Sequence, residues 1–286
     1  RKDIDAVMIG TWPYRHCSFV LESLDAGKPT FVQARMAMNL REAKAMYAKA
    51  QETGLPTQIC PSPFTMKGEQ FVKRLIDEGY LGQVYNVNVR SLLDNACDPD
   101  APLHWRHVER YSGLNVLYLG ILVESVHRWF GYAKRISAQA ETFIKTRSIP
   151  GGEGSGPVER PDTVNVLAEM ENGATATFLF SGVARFGGGE NRVEAYGSEG
   201  TLIYNVSGQV DGQSVLGAKK GDDGLAEMSI PEGEVQGWAV EQNFIDLIRT
   251  GKPAASTFYE GVKYMEFTEA VFRSVESGRA VNLPLV

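Results

Sequence analysis

The sequence predicts an α/β unit built on a parallel sheet over residues 1–82. An α+β unit follows over residues 83–286, with a large, mostly antiparallel, open-faced sheet and covering helices. Two observations predict this. Up to about residue 81, short apolar runs alternate with stretches of helical period, the grammar of a parallel sheet with crossover helices. Beyond that point strict apolar–polar alternation takes over, which reads as strands with one face in a core and the other in solvent.

The opening run IDAVMIG, residues 4–10, has the length of a strand. Thr11-Trp12-Pro13 then turns the chain into a helix whose Cys17, Leu21 and Leu24 share a face at i, i+4 and i+7. Gly27 closes that helix. Residues 30–34 form the next strand and residues 40–53 the next helix, with Leu40, Ala43, Tyr47 and Ala50 in one stripe ahead of Gly54. Residues 56–60 and 68–77 repeat the pattern, Phe71, Val72, Leu75 and Ile76 pointing inward. Residues 83–90 then alternate, Tyr85, Val87 and Val89 against Asn86, Asn88 and Arg90. Val164 to Met170 and Ala174 to Phe180 alternate likewise around Glu171-Asn172-Gly173, whose Asn-Gly pair is a strong hairpin signal. RVEAYG and TLIYN flank Ser198-Glu199-Gly200 as a second pair. Two helices, residues 239–250 and about 259–277, close the chain. The first carries Val240, Phe244, Leu247 and Ile248 on one stripe.

The first unit reads as a partial Rossmann-type sheet. The strand, G-x-G-x-x-G turn and helix that would cradle a dinucleotide pyrophosphate are not in it. The chain opens on Arg1 rather than Met, so either an upstream segment has been cleaved or left out or the mature protein lacks it, and these residues alone are expected to hold a nicotinamide dinucleotide weakly or not at all. The glycine-rich residues 151–156 and 187–189 read as plain loops, since neither joins a strand to a helix in the required register.

Hydrophobic content of 43% and charged content of 22% over 286 residues are those of a soluble globular chain. A net charge of −6 without basic clusters argues against nucleic acid and anionic membranes as partners. The longest apolar stretch, residues 114–123, is short of the roughly 20 residues a membrane span needs. Three cysteines without C-x-x-C spacing suggest reduced thiols in a cytoplasmic protein, and four histidines without ligand spacing give no metal site.

An ordered series of segments resembles the Gfo/Idh/MocA oxidoreductases. They are Asp5-Ala6-Val7-Met8-Ile9-Gly10-Thr11 with His16, Leu24-Asp25-Ala26-Gly27-Lys28-Pro29 running to Met36-Ala37, and LIDEGYLGQV at residues 75–84. Tyr196-Gly197-Ser198-Glu199-Gly200-Thr201-Leu202 and the ending NFIDLIRTGKP…SGRAVNLP complete the series. The resemblance implies NAD(P)-dependent hydride transfer on a sugar, a polyol or a related small molecule, with NAD or NADP bound only if the upstream segment exists. It also implies a homodimer or homotetramer formed through the open sheet.

The family's E-K-P aligns with Gln33-Ala34-Arg35, so Ala34 stands at the lysine position and cannot exchange a proton. Its H-x-x-D helix aligns with Leu122 and Ser125. An alcohol gives up hydride readily only as its proton leaves, so another acid/base group is required. The replacement candidates are Glu124 and His127, on one helix face at i, i+3, and Tyr118, which falls near the family's preceding aspartate. The competing readings are a structural ion pair or helix-surface contact for Glu124 and His127 and a packed core tyrosine for Tyr118. Arg35 suits a substrate carboxylate or a surface position, and Trp105 and Arg106 lie where the family contacts substrate. Thr11, Trp12, Pro13, His16 and Gln33 are the implied cofactor contacts. The alternative is a non-redox descendant, a lyase, an isomerase or a silent binding subunit.

Overall fold

The computed structural model describes residues 1–60, 66–188, 191–206, 212–252 and 256–285. The chain starts with β1 (Val7–Ile9), α1 (Pro13–Asp25), β2 (Thr30–Val32), α2 (Leu40–Thr53), β3 (Thr57–Ile59) and α3 (Glu69–Asp77). The three strands form a parallel sheet in the order β1-β2-β3. Pro13 opens α1 where its missing N–H is harmless. The buried positions of α1 are Pro13, His16, Val20, Ser23 and Leu24. Leu24 is buried as expected, Cys17 and Leu21 are half-buried, and His16 and Val20 take the fully buried positions next to them. Asn39 caps α2 by accepting from the Glu42 N–H at 3.0 Å, and Gly54 ends it in the left-handed region. Met46, rather than Tyr47, completes the buried stripe of α2.

The second part comprises β4 (Val84–Leu92), α4 (Glu109–Ser112), α5 (Leu119–Phe130), β5 (Ala133–Glu141), β6 (Thr146–Ser148), β7 (Ser155–Pro157), β8 (Thr163–Met170) and β9 (Thr175–Ser181). It continues with β10 (Asn191–Gly197), β11 (Gly200–Val206), β12 (Ser214–Lys219), β13 (Ala226–Met228), α6 (Val240–Thr250), α7 (Phe258–Ser277) and β14 (Val281–Asn282). Nine strands make one sheet, ordered β13-β12-β11-β10-β4-β9-β8-β5-β14, with β4 and β9 parallel and the other pairs antiparallel. The β8–β9 hairpin turns at Asn172-Gly173 as expected, Asn172 Oδ1 accepting from the Ala174 N–H at 3.0 Å. Val87 and Val89 face the core, but Tyr85 is half exposed. The register slips there, Tyr196 pairing with Asn86 and Gly197 with Val84. Glycines 151, 152 and 154 lie in the β6–β7 connection, and 187 and 188 follow β9 without a helix. Gly189 lies outside the described residues.

The covered face of the large sheet packs on α7, where Phe267 meets Phe178 edge-on at 5.2 Å. The open face is polar, with Arg90 and Arg192 both pairing with Glu194 and Asn86 donating to Thr175, although Leu167 is 63% exposed on it. The long α7 also packs on α2, so one apolar core runs from the small sheet to the large one. On the other side of the small sheet, α6 returns to cover β2, Phe244 lying against Phe31 with Val240, Leu247 and Cys60.

Helix α5 is buried almost all round, which decides the fate of two sequence candidates. Glu124 is 2% exposed, pairs with Arg128 at 2.5 Å and accepts from Ser256 Oγ at 2.8 Å, while Arg128 also reaches Glu69. His127 is packed edge-on against Tyr132 and Phe267. The i, i+3 spacing put them on neighbouring positions, but their side chains serve different contacts and make no acid/base pair. Burial, reinforced by Lys263, pushes His127 down to about 3, so it is neutral in the fold.

Phe244→Ala is expected to cost about 3–5 kcal/mol, read as a lower urea midpoint. An unchanged midpoint would contradict the docking of α6 on β2. The unfolded chain protonates His127 near the ordinary 6.5, whereas the folded chain does so only near 3. This contribution to stability is complete above about pH 6.5 and is lost as pH falls, at up to about 1.4 kcal/mol per unit. His127→Leu should therefore lose less stability than the parent between about pH 7 and about pH 5. Equal losses would rule out His127 as the source.

Candidate active site

The C-terminal ends of β1 and β2 face the loops after β4 and before α5 across a cleft of about 580 Å³. Open α/β sheets place ligands at such strand ends. The loop at 33–38 forms its floor and is fastened from three sides. From α1, His16 sets Nε2 at 2.8 Å from the Thr11 carbonyl and Nδ1 at 3.1 Å from those of Arg35 and Met36. From α7, the Tyr264 hydroxyl accepts from the Met36 N–H. From the segment before α5, Asn115 Nδ2 donates to the Ala37 carbonyl at 2.8 Å, and the Leu117 carbonyl accepts from Arg35 Nη1 at 3.1 Å. Leu117 holds a left-handed backbone, φ 44°, to present that carbonyl. Burial lowers the His16 pKa, and the carbonyls of Thr11, Met36 and Arg35 around its ring oppose that shift.

The opposite wall is a single helical turn at 105–107. His104 Nδ1 accepts from the Arg106 N–H, and His107 Nδ1 from the His104 N–H. Trp105 stacks on Trp12 with centroids 5.1 Å apart and planes 15° from parallel, and Arg106 lies 4.3 Å from the Trp105 ring centre. Tyr111 adds an edge contact to Trp12, so the rim of the cleft is an aromatic clasp between the two parts of the chain. Burial, with the charge of Arg147 next, pushes His107 down to about 4. Burial first, and Arg106 second, lower Arg35 to about 10, which leaves it cationic at neutral pH.

Buried polar atoms without a protein partner gather here. Arg35 Nε, Asn115 Oδ1, Arg147 Nε and Asp162 Oδ1 all belong to residues that line the cleft. Asp162 is anchored through its other oxygen by the N–H groups of Phe143 and Ile144, and Arg147 by the carbonyls of Ala96, Asp98 and Ala101. Two donors and two acceptors of the lining residues are thus left without a protein partner. Among the described residues, no group of three or more His, Cys, Asp or Glu side chains could hold a metal ion.

Of the residues singled out from the sequence, Pro13, Gln33, Arg35, Trp105, Arg106 and Tyr118 line the cleft. Trp12 stands at its rim against Trp105, and Thr11 does not line it. His16 lies behind the floor, 0% exposed, and acts as a fastener rather than a cofactor contact. Glu124 and His127 do not line it. The sequence reading missed Asn115, Arg147 and Asp162. Asn115 had a signal, since it stands where the family's glycine run is interrupted; the other two lie where no periodicity or motif marks them.

Residues 70–203 match the GFO/IDH/MocA C-terminal domain. Levoglucosan dehydrogenase of Pseudarthrobacter phenanthrenivorans is 22% identical over 318 residues, covering 99% of this chain and 81% of that protein. D-apiose dehydrogenase of Paraburkholderia graminis is 25% identical over 293 residues, covering 99% of this chain and 74% of that protein. Among solved structures, levoglucosan dehydrogenase in complex with NADH and levoglucosan shares the fold with a TM-score of 0.89. Its identity is 21%, over 100% of this chain and 82% of that one. Among the described residues no helix is long and apolar enough to cross a membrane. The ordered motifs, the paired sheets and these matches agree: residues 70–203 match the GFO/IDH/MocA C-terminal domain, and the chain is similar over nearly its whole length to dehydrogenases of carbohydrates.

Proposed function

We propose that this protein is an NAD(P)-dependent oxidoreductase acting on a sugar, a polyol or a related small molecule, and that Tyr118 rather than residue 34 handles the hydroxyl proton. The observation that carries the reading is the cleft at the strand ends, lined by Tyr118 and by four residues that each keep an unpartnered polar atom. The relatives named above, dehydrogenases of carbohydrates, support the same chemistry and give no support to a lyase, an isomerase or a silent subunit.

The residues at the ends of β1 and β2 fit the nicotinamide end of the cofactor. A Cβ on Gly10 would meet nothing within 4 Å, which leaves room for a flat ring near Pro13, Gln33 and Ala34. Among the described residues no glycine-rich turn joins a strand to a helix in the pyrophosphate-binding register, so the hold on the phosphates is not assigned. The bound nicotinamide would supply the hydride acceptor or donor. Asn115 and Asp162 would accept from substrate hydroxyls and Arg147 would donate to one, fixing the carbinol carbon toward the cofactor wall. In the reducing direction the Tyr118 O–H donates to the substrate oxygen, the role that the Ala34 methyl cannot perform. The Trp12–Trp105 clasp keeps bulk water from the rim.

Tyr118→Phe should lower kcat by about 10²–10⁴-fold with little change in KM or melting temperature, followed by NAD(P)H absorbance. Undiminished turnover would remove Tyr118 from the chemistry. We further propose a homodimer or homotetramer formed across the open face of the large sheet, around Leu167. Light scattering should then give two or four times 31.4 kDa, and a mass near the single chain would contradict it.

A further inference from the structure

The cleft carries positive charge that the chain does not neutralise. Arg35, Arg106, Arg147 and Arg160 line it against one carboxylate, Asp162, in a protein of net charge −6. Two of these arginines are occupied. Arg147 donates to three backbone carbonyls, and Arg160 pairs with Glu109 at 2.7 Å and donates to the Gly113 carbonyl. Arg35 and Arg106 are different: among the described residues no carboxylate pairs with either, and they lie close enough to repel one another.

Their positions are nevertheless fixed. The Arg35 stem runs over Gly120 of α5, where a Cβ would meet its Cδ at 3.2 Å, and Nη1 is committed to the Leu117 carbonyl. Nε is buried without a partner. What remains toward the cleft is Nη2, for which the described residues give no acceptor. Arg35 is 8% exposed, so its charge is largely out of water with no counter-ion, an arrangement that a bound anion relieves. Arg106 is held over the Trp105 ring and supplies the second cation from the opposite wall.

We propose that Arg35 and Arg106 together bind a carboxylate of the substrate, so that the cleft takes a polyhydroxy acid in preference to a neutral sugar or polyol. The inference rests on the small-molecule oxidoreductase reading above and narrows its substrate class. A carboxylate has one oxygen for Arg35 Nη2 and one for Arg106. A phosphate ester, with three oxygens to satisfy, would leave acceptors over.

The test is calorimetric titration of the whole chain, with and without NAD(P)H, using D-gluconate against D-glucitol and D-glucuronate against D-glucose, with D-glucose 6-phosphate as the phosphate arm. The acids should bind about tenfold or more tightly than their neutral counterparts, and the preference should shrink as salt rises from about 50 mM to about 500 mM. Arg106→Gln, at an exposed position that the fold does not need, should remove the preference with an unchanged circular dichroism spectrum. Arg35→Lys should weaken acid binding even though it keeps the charge. Equal binding of acid and neutral partners, binding of none of the probes, tighter binding of the phosphate ester, or an Arg106→Gln variant that retains the preference would each overturn the proposal. Acid preference without NAD(P)H-linked turnover would retire the oxidoreductase reading and keep this one. Turnover of neutral sugars without acid preference would do the reverse.

Discussion

The fastening of the loop at 33–38 is the constraint on which the site depends. This loop leaves β2 at the floor of the cleft, and its backbone groups are taken up by His16 from α1, Tyr264 from α7 and Asn115 from the segment before α5. Each fastener comes from a different element, so the floor is set only when both parts of the chain have folded together. The continuous core between the two sheets follows from the same requirement, with α7 touching α2 on one side and β5 on the other. The strained backbone of Leu117 belongs here too, because its carbonyl is what fixes Arg35.

Buried charge is handled in two opposite ways. Within α5 the carboxylate of Glu124 is matched by Arg128, which Glu69 and Ser256 help to complete, and His127 avoids charge altogether. That is how a core accommodates ionisable groups: pair them or keep them neutral. In the cleft, Arg35 is neither paired nor neutral. The contrast within one chain separates a structural cluster from a site that awaits a ligand. It also explains why helical spacing alone misjudged Glu124 and His127: neighbouring positions on a helix do not say whether the helix is buried all round.

Much of the fold was legible where the local chemistry was decisive. Asn39 and Gly54 bracket α2, so its ends could be read to the residue, and Asn172-Gly173 marks the β8–β9 turn. The reading failed where long-range pairing decides. Strand β5 was missed because Lys134 sits at a register slip that breaks its alternation, and β12, β13 and β14 are short edge-side strands defined by their neighbours. In the site, Gln33, Arg35, Trp105, Arg106 and Tyr118 were found because they stand at or near motif positions of the family. Asn115, Arg147 and Asp162 act through backbone groups of distant loops, which no spacing in the sequence reveals.

The central claim is that this cleft, without a lysine at residue 34, still directs hydride transfer. Incubating the protein and oxidised cofactor with a polyhydroxy acid deuterated at its carbinol carbons, and examining the cofactor by mass spectrometry, tests it most directly. The account predicts one deuterium on the reduced nicotinamide and a primary isotope effect on turnover. Consumption of the substrate with no deuterium reaching the cofactor would contradict it.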